Sequence, residues 1–183
     1  MANSVMDYIA EYYRSRHELV IKVIDNLNEQ QMMWRPNRTT PSIGFHVWHL
    51  ARWADYLQEV ITGAGVQIWE QEKLAAQWGF ADFNLGFAET GLGMEDDVVA
   101  SLPLPKKEIL LDYARRAFAR ADQAVATIGN DQFHRRVQDR HAVEGEVLAS
   151  GDAVLNWLVH ASRHLGMIEC LLGVQGLHGT ATR

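Results

Sequence analysis

Cysteine is almost absent from this 183-residue sequence: Cys170 stands alone. One thiol cannot close an internal disulfide framework or supply a cysteine-rich zinc site. Long apolar runs are missing as well. The richest stretch, from Val154 to Val174, is broken by His160, Arg163, His164 and Glu169. No segment of about 18 apolar residues is therefore available to cross a membrane. The opening MANSVMDYIAEYY lacks the basic segment and apolar core of a secretory signal. Basic charge is also short: 17 Lys and Arg face 23 Asp and Glu, a net −6. That balance argues against the phosphate backbone of nucleic acid as a partner. No internal repeat, Ser/Gly linker, Ser-His-Asp nucleophile arrangement, Walker loop or dinucleotide-binding glycine pattern occurs. These absences predict a single domain over residues 1–183, cytoplasmic, with a small-molecule substrate and no membrane or nucleic-acid partner.

What the chain does have is helical periodicity, in four long segments. The first runs from about Val5 to Leu27, with Ser4 and Asp7 spaced as a capping pair. A polar connector with Pro36 and Pro41 follows. The second runs from about Ser42 to Thr62. It gathers Arg52, Asp55, Gln58 and Glu59 on one side and Ile43, His46, Leu50, Trp53, Leu57 and Val60 on the other. Gly63 and Gly65 stop it. Residues 63–104 read as a long irregular excursion, with WEQEKLAAQWGF as a short helix, covering one end of the domain as a lid. The third segment starts near Pro105, suited to a first turn, and ends near Ile128. The connector NDQFHRRVQDRHAVEGEVLASG leads to the fourth, from about Asp152 to Leu172, with Gly173 as its stop. That last helix is apolar around most of its circumference, which predicts a central place. Helices of roughly 20 residues are each about 30 Å long. They predict an all-α four-helix bundle, in which the excursion between helices 2 and 3 lets those two run parallel.

The eight histidines carry the chemistry. His160 and His164 are spaced i, i+4, so both imidazoles project from one side of the fourth helix. Two such rings can ligate one metal; alternatively each is satisfied by a neighbouring hydroxyl or carbonyl. The pair sits on an apolar face, where an imidazole without a partner costs stability. The second helix also points histidines from its apolar side, which makes His49 a natural third ligand across the core. Two ligands from one helix and one from another define one face of a metal and leave other positions open. His46, one turn before His49, reads as a pocket acid or base, a fourth ligand, or a core histidine bonded to a neighbour. Asn156, one turn before His160, reads as a group orienting an imidazole or satisfying local backbone. Trp48, Trp53 and Trp157 wall a pocket or fill the core. Arg135, Arg136 and Arg140, with His134 and His141, form a basic cluster that holds an anion or is simply solvated. Cys170 reads as a small buried side chain.

SIGFHVWHLARWADYL, followed by VLNWLVHASRHLGMIECLLGVQG, resembles the DinB-like (YfiT-like) superfamily of four-helix-bundle proteins. The resemblance covers essentially the whole chain in helix order. It implies a three-histidine site for a divalent metal, zinc or nickel first and iron third, at His49, His160 and His164. It implies a stress-linked role, a homodimer, and kinship with transferases that use low-molecular-weight thiols. Isomerase-type members carry Glu where His160 stands, and iron-dependent sulfoxide synthases carry an acid where Gly166 stands, so both branches are disfavoured. Three neutral imidazoles would leave the metal's charge uncompensated, acidifying a bound water or ionising a bound thiol. The expected function is therefore a metal-dependent, thiol-dependent S-transferase. The alternatives are a hydrolase using metal-bound water and a non-catalytic helical dimer with a structural metal.

Overall fold

The computed structural model describes residues 4–63, 66–137, 139–141 and 148–180. Gly65 and part of the connector before the last helix lie outside these residues. Four long helices form the bundle: α1 (Val5–Ile24), α3 (Ile43–Thr62), α7 (Lys107–Ala126) and α8 (Ser150–Val174). Shorter helices lie between them: α2 (Glu29–Met33), α4 (Ile68–Gln71), α5 (Leu74–Gln77) and α6 (Asp96–Ser101). A small sheet pairs β1 (Arg136–Val137) antiparallel with β2 (Leu148–Ala149). Among the described residues no helix is long and apolar enough to cross a membrane.

Local chemistry sets the helix ends. Ser4 Oγ accepts from Asp7 N–H at 3.1 Å while Asp7 Oδ2 accepts from Ser4 N–H at 2.6 Å, the reciprocal cap read from the sequence. Ser42 Oγ accepts from Phe45 N–H at 3.1 Å at the start of α3. Gly63 ends α3 in the left-handed region at φ 65.

The connector expected after α1 holds a further helix, α2, because Asn28 and Gln31 cap each other reciprocally. The stretch WEQEKLAAQWGF forms two short helices rather than one, separated by Lys73 at φ 52. Pro105 precedes the cap residue Lys106 instead of occupying the first turn of α7. There the exposed Lys107 N–H is met by Glu29 Oε2 at 3.0 Å. Gly173 lies inside α8, which continues to Val174. The left-handed residue is Gly176 at φ 73, followed by a bond from Leu177 N–H to Leu172 O at 2.9 Å.

Cross-bundle contacts fix the helix directions. Arg52 and Asp55 of α3 meet Tyr113 of α7, and Arg120 further along α7 reaches the Val66 carbonyl beyond α3, so α3 and α7 run parallel. His46 meets His164, His49 meets His160 and the Trp53 carbonyl meets Trp157, so α3 and α8 run antiparallel. The excursion makes the parallel pair possible, as expected.

The central helix is α3, not α8. Every α3 residue except Glu59 and Thr62 is buried, because the excursion covers the flank that the bundle leaves open. By contrast α8 exposes Leu155, Val159, Met167 and Val174. The polar side of α3 is therefore not a wet face: Arg52, Asp55 and Gln58 are all buried. Trp48 is fully buried against Trp69 and Phe80 and belongs to the core rather than to a pocket wall.

Candidate metal centre

Antiparallel packing sets residues 46 and 49 of α3 against residues 164 and 160 of α8. Ring nitrogens of His49, His160 and His164, one from each residue, all lie within 4.8 Å of one another. His49 Nε2 is 3.1 Å from His160 Nε2. The His164 ring centroid is 4.6 Å from that of His49 and 4.4 Å from that of His160, the last pair edge to face. His49 and His164 are buried and His160 is half-buried.

Neutral imidazoles carry one N–H and one lone pair each, and crowding their lone pairs together is a cost unless something binds them. Burial pushes all three imidazoles well below the ordinary histidine range. For His49 the largest cause is burial, with the neighbouring His160 adding to it, and the value falls to about 3. His160 falls to about 4, through burial and then the charge of Arg163. His164 is lowered for the same reason, with His49 and His160 contributing. Neutral rings with free lone pairs are what a divalent cation requires, so the donor set fits a metal of the imidazole-accepting kind.

The second nitrogens are also placed. His49 Nδ1 is 2.5 Å from the Thr90 carbonyl oxygen, which can only accept, so Nδ1 donates and Nε2 keeps its lone pair toward the cluster. The loop carrying Thr90 approaches closely at Gly91, whose φ is +90. A β-carbon there would come within 2.8 Å of the Trp48 ring and 3.0 Å of His49 Nδ1.

His46 contacts His164 Nδ1 to Nδ1 at 2.9 Å. Its burial lowers its pKa to about 4. It stands behind a candidate ligand rather than among the three converging nitrogens. Trp53 Nε1 donates toward His49 Nε2 at 3.2 Å, and Trp157 Nε1 donates to the Trp53 carbonyl at 3.0 Å. These two indoles wall the cluster on the His160 side.

Other expected residues fall elsewhere. Asn156 is exposed and makes no hydrogen bond to a histidine, because it lies on the outer side of α8. Cys170 is exposed, not buried. It lines a cavity of about 460 Å³ together with His46, His49, Arg163 and His164. In the basic cluster, Arg140 Nε pairs with Glu59 at 2.7 Å and the same guanidinium also meets Glu70. Arg135 donates to the Ile61 carbonyl at 2.5 Å. The Arg140 charge is thus already matched by two carboxylates, whereas Arg135 is anchored to a neutral carbonyl.

Two contributors escaped the sequence reading. Thr90 acts through a backbone carbonyl, which no side-chain pattern reveals. Arg163, between the two α8 histidines, is exposed, has no ion-pair partner among the described residues and lines the cavity. Its spacing within HASRH was visible, but its bearing on the pocket was not.

Among solved structures, the chain is similar to that of the conserved protein of locus from Enterococcus faecalis. The TM-score is 0.74 at 15% identity, over 93% of this chain and 96% of that one. That likeness establishes the fold alone. No curated protein matches the chain. The model of the DinB superfamily matches residues 11–168, and the helix order, the parallel α3–α7 pair and the histidine cluster accord with that match: the chain belongs to the DinB superfamily.

Proposed function

We propose that this protein is a divalent-metal-dependent enzyme in which His49, His160 and His164 hold the metal, and that it joins a low-molecular-weight thiol to an electrophilic carbon. The observation that carries the reading is the convergence of three neutral imidazoles beside an open cavity, with no side-chain acid among them to neutralise a dication. Zinc or nickel suits this donor set, with iron third. A bound dication would supply Lewis acidity that ionises a coordinated thiol or water near neutral pH.

The protein's own residues do the rest. The Thr90 carbonyl fixes the His49 tautomer, and His46 holds the His164 ring. Phe45, Leu92, Met94, Val99 and Met167 give the cavity an apolar lining that excludes water and receives the carbon skeleton of an electrophile. Arg163 draws an anionic group of either substrate to the same wall. In the transfer, the thiol S–H loses its proton to solvent, an S–C bond forms and the leaving group departs from carbon with its electron pair.

The test is metal analysis of protein purified without chelators, followed by thiols assayed in pairs with electrophiles. Metal at one equivalent and thiol-dependent turnover lost in His160→Ala are expected. Turnover without thiol would reassign the chemistry to hydrolysis. Failure to take up zinc, nickel or iron would overturn the reading.

A further inference from the structure

Arg52 is only 1% exposed and spends all five guanidinium N–H groups on protein acceptors. Nη1 donates to Asp55 Oδ2 at 3.4 Å and to Tyr113 Oη at 3.1 Å. Nη2 donates to Gln67 Oε1 at 2.7 Å and to the Ala88 carbonyl at 3.0 Å. Nε donates to the Glu89 carbonyl at 2.9 Å. The guanidinium also stacks over the Trp69 ring, 4.8 Å from its centroid.

The two carbonyls are the informative partners. Ala88 and Glu89 sit at φ 48 and φ 54, in the left-handed region that side chains with a β-carbon rarely adopt. Such a conformation persists only where the surroundings impose it. The base of this loop is tied by Phe87 N–H to Leu92 O at 3.0 Å and by Gly91 N–H to Leu85 O at 2.8 Å. Its tip is held by Arg52. The next carbonyl along the chain is Thr90, the acceptor for His49 Nδ1.

We propose that Arg52 is a positioning residue for His49: by clamping the carbonyls of Ala88 and Glu89 it aims the Thr90 carbonyl at Nδ1 and leaves Nε2 as the lone-pair nitrogen that faces His160. The inference rests on the metal-site reading for its purpose, while the tautomer it predicts is a property of the metal-free protein. Lysine at position 52 would keep the positive charge near Asp55, but one ammonium cannot reproduce the planar fork that meets both carbonyls while also serving Asp55, Tyr113 and Gln67.

The experiment is an imidazole ¹⁵N correlation spectrum of metal-free protein, read beside a zinc titration against a competing chelator. In the unaltered chain His49 is expected as the single Nδ1-protonated tautomer. In Arg52→Lys it becomes a mixture, and zinc affinity falls about ten-fold, the lower end for loss of a ligand-orienting contact. His17, whose Nδ1 faces Asp122 Oδ1 at 2.8 Å away from this loop, stays unchanged as an internal reference. Tyr113→Phe removes an Arg52 contact remote from the loop. It lowers the melting temperature and leaves the His49 tautomer alone. Unchanged His49 signals in folded Arg52→Lys would overturn the proposal, as would an equal tautomer change in Tyr113→Phe. Should Arg52→Lys fail to fold, replacing the Ala88–Glu89 amide by an ester weakens the Ala88 acceptor and leaves every side chain in place, at the cost of the Glu89 N–H bond to the Gly86 carbonyl at 3.2 Å. A smaller shift of the same kind supports the clamp, and no shift overturns it. Absence of zinc uptake by the unaltered chain sinks the metal reading, not the clamp. Normal uptake with an undisturbed His49 in Arg52→Lys sinks the clamp alone.

Discussion

Helix α3 carries polar groups on two neighbouring flanks, and both are buried, yet they are chemically unlike. On one flank, around Arg52 and Asp55, donors and acceptors balance. All five N–H groups of Arg52 find acceptors, and Asp55 accepts from the amides of Ile68 and Trp69, each at 2.9 Å, and from Tyr113 Oη–H at 3.1 Å. Burial pushes the Asp55 carboxyl up, against those amides and against Arg52. On the other flank, the rings of His49, His160 and His164 crowd together with one N–H each, that of His49 already spent on the Thr90 carbonyl, and Trp53 Nε1 donates toward His49 Nε2 from the side. A saturated buried network is scaffold. A surplus of acceptors converging beside a cavity is a place for a cation. The excursion joins the two, since residues 88 and 89 face Arg52 while residue 90 faces His49.

The largest expected effect lies on the saturated flank. Asp55→Ala leaves the Arg52 charge buried without its carboxylate and uncaps α4. Removing one partner of a buried pair costs about 3–5 kcal/mol. Urea unfolding should show that loss, and a change below about 1 kcal/mol would mean the network is less closed than its geometry. On the open flank the sign of the effect differs. His164→Ala removes a candidate ligand and should lower zinc affinity by at least about 100-fold, a larger loss than disturbing an outer partner. Because it also removes a crowded lone pair, the metal-free protein should lose less stability than in Asp55→Ala. Competition titration and urea unfolding of the two variants, side by side, check the contrast.

How legible each flank was follows from the same difference. Helical spacing was enough to pair His160 with His164 and to bring His49 across, because period 3.6 is written in side chains. The Ser4–Asp7 cap and the Gly63 stop were readable for the same reason. Arg52, Asp55 and Gln58 were assigned to a polar side, since amphipathic patterning treats polar as wet. Only the fold of residues 66–104 reveals that this side is covered. Thr90 acts through its backbone, and Gly91 matters because of what its β-carbon would strike; neither fact has a local signature. Cys170 was misjudged because a helix apolar around most of its circumference was taken as central, whereas part of it faces out; Gly173 was taken as the stop, but the left-handed turn falls three residues later at Gly176.

Acidity should act on the histidine flank first. His46, His49, His160 and His164 all titrate lower in the folded chain than the ordinary value of 6.5. Below 6.5 the unfolded chain therefore binds more protons, and stability rises with pH in that range. The metal-free protein should lose several degrees of melting temperature between pH 6.5 and about 5, above the range where ordinary carboxylates titrate. His46→Gln should make that slope shallower. A flat profile there would mean that the cluster is more hydrated than its burial indicates.

Gly91→Ala tests the seam between the flanks. At φ +90, with a β-carbon within 3.0 Å of His49 Nδ1, the loop must shift, and strain of this kind costs on the order of 1–3 kcal/mol. Thermal unfolding should register it, with weakened zinc binding beside it.

The smallest effect is the one that separates spacing from orientation. Asn156 is one turn before His160, so spacing alone makes it a candidate to orient that ring. In the folded chain it is exposed and makes no hydrogen bond to a histidine. His46 plays the orienting part instead, from the facing helix and toward His164. Asn156→Ala should therefore change stability by no more than about 0.5 kcal/mol and leave zinc affinity as it was. His46→Gln should weaken zinc binding, because a ligand loses its outer contact. If Asn156→Ala weakened binding as much as His46→Gln, α8 would have to be rotated from the orientation seen here. The converging nitrogens would then point elsewhere, and the contrast between an open and a saturated flank would fail with them.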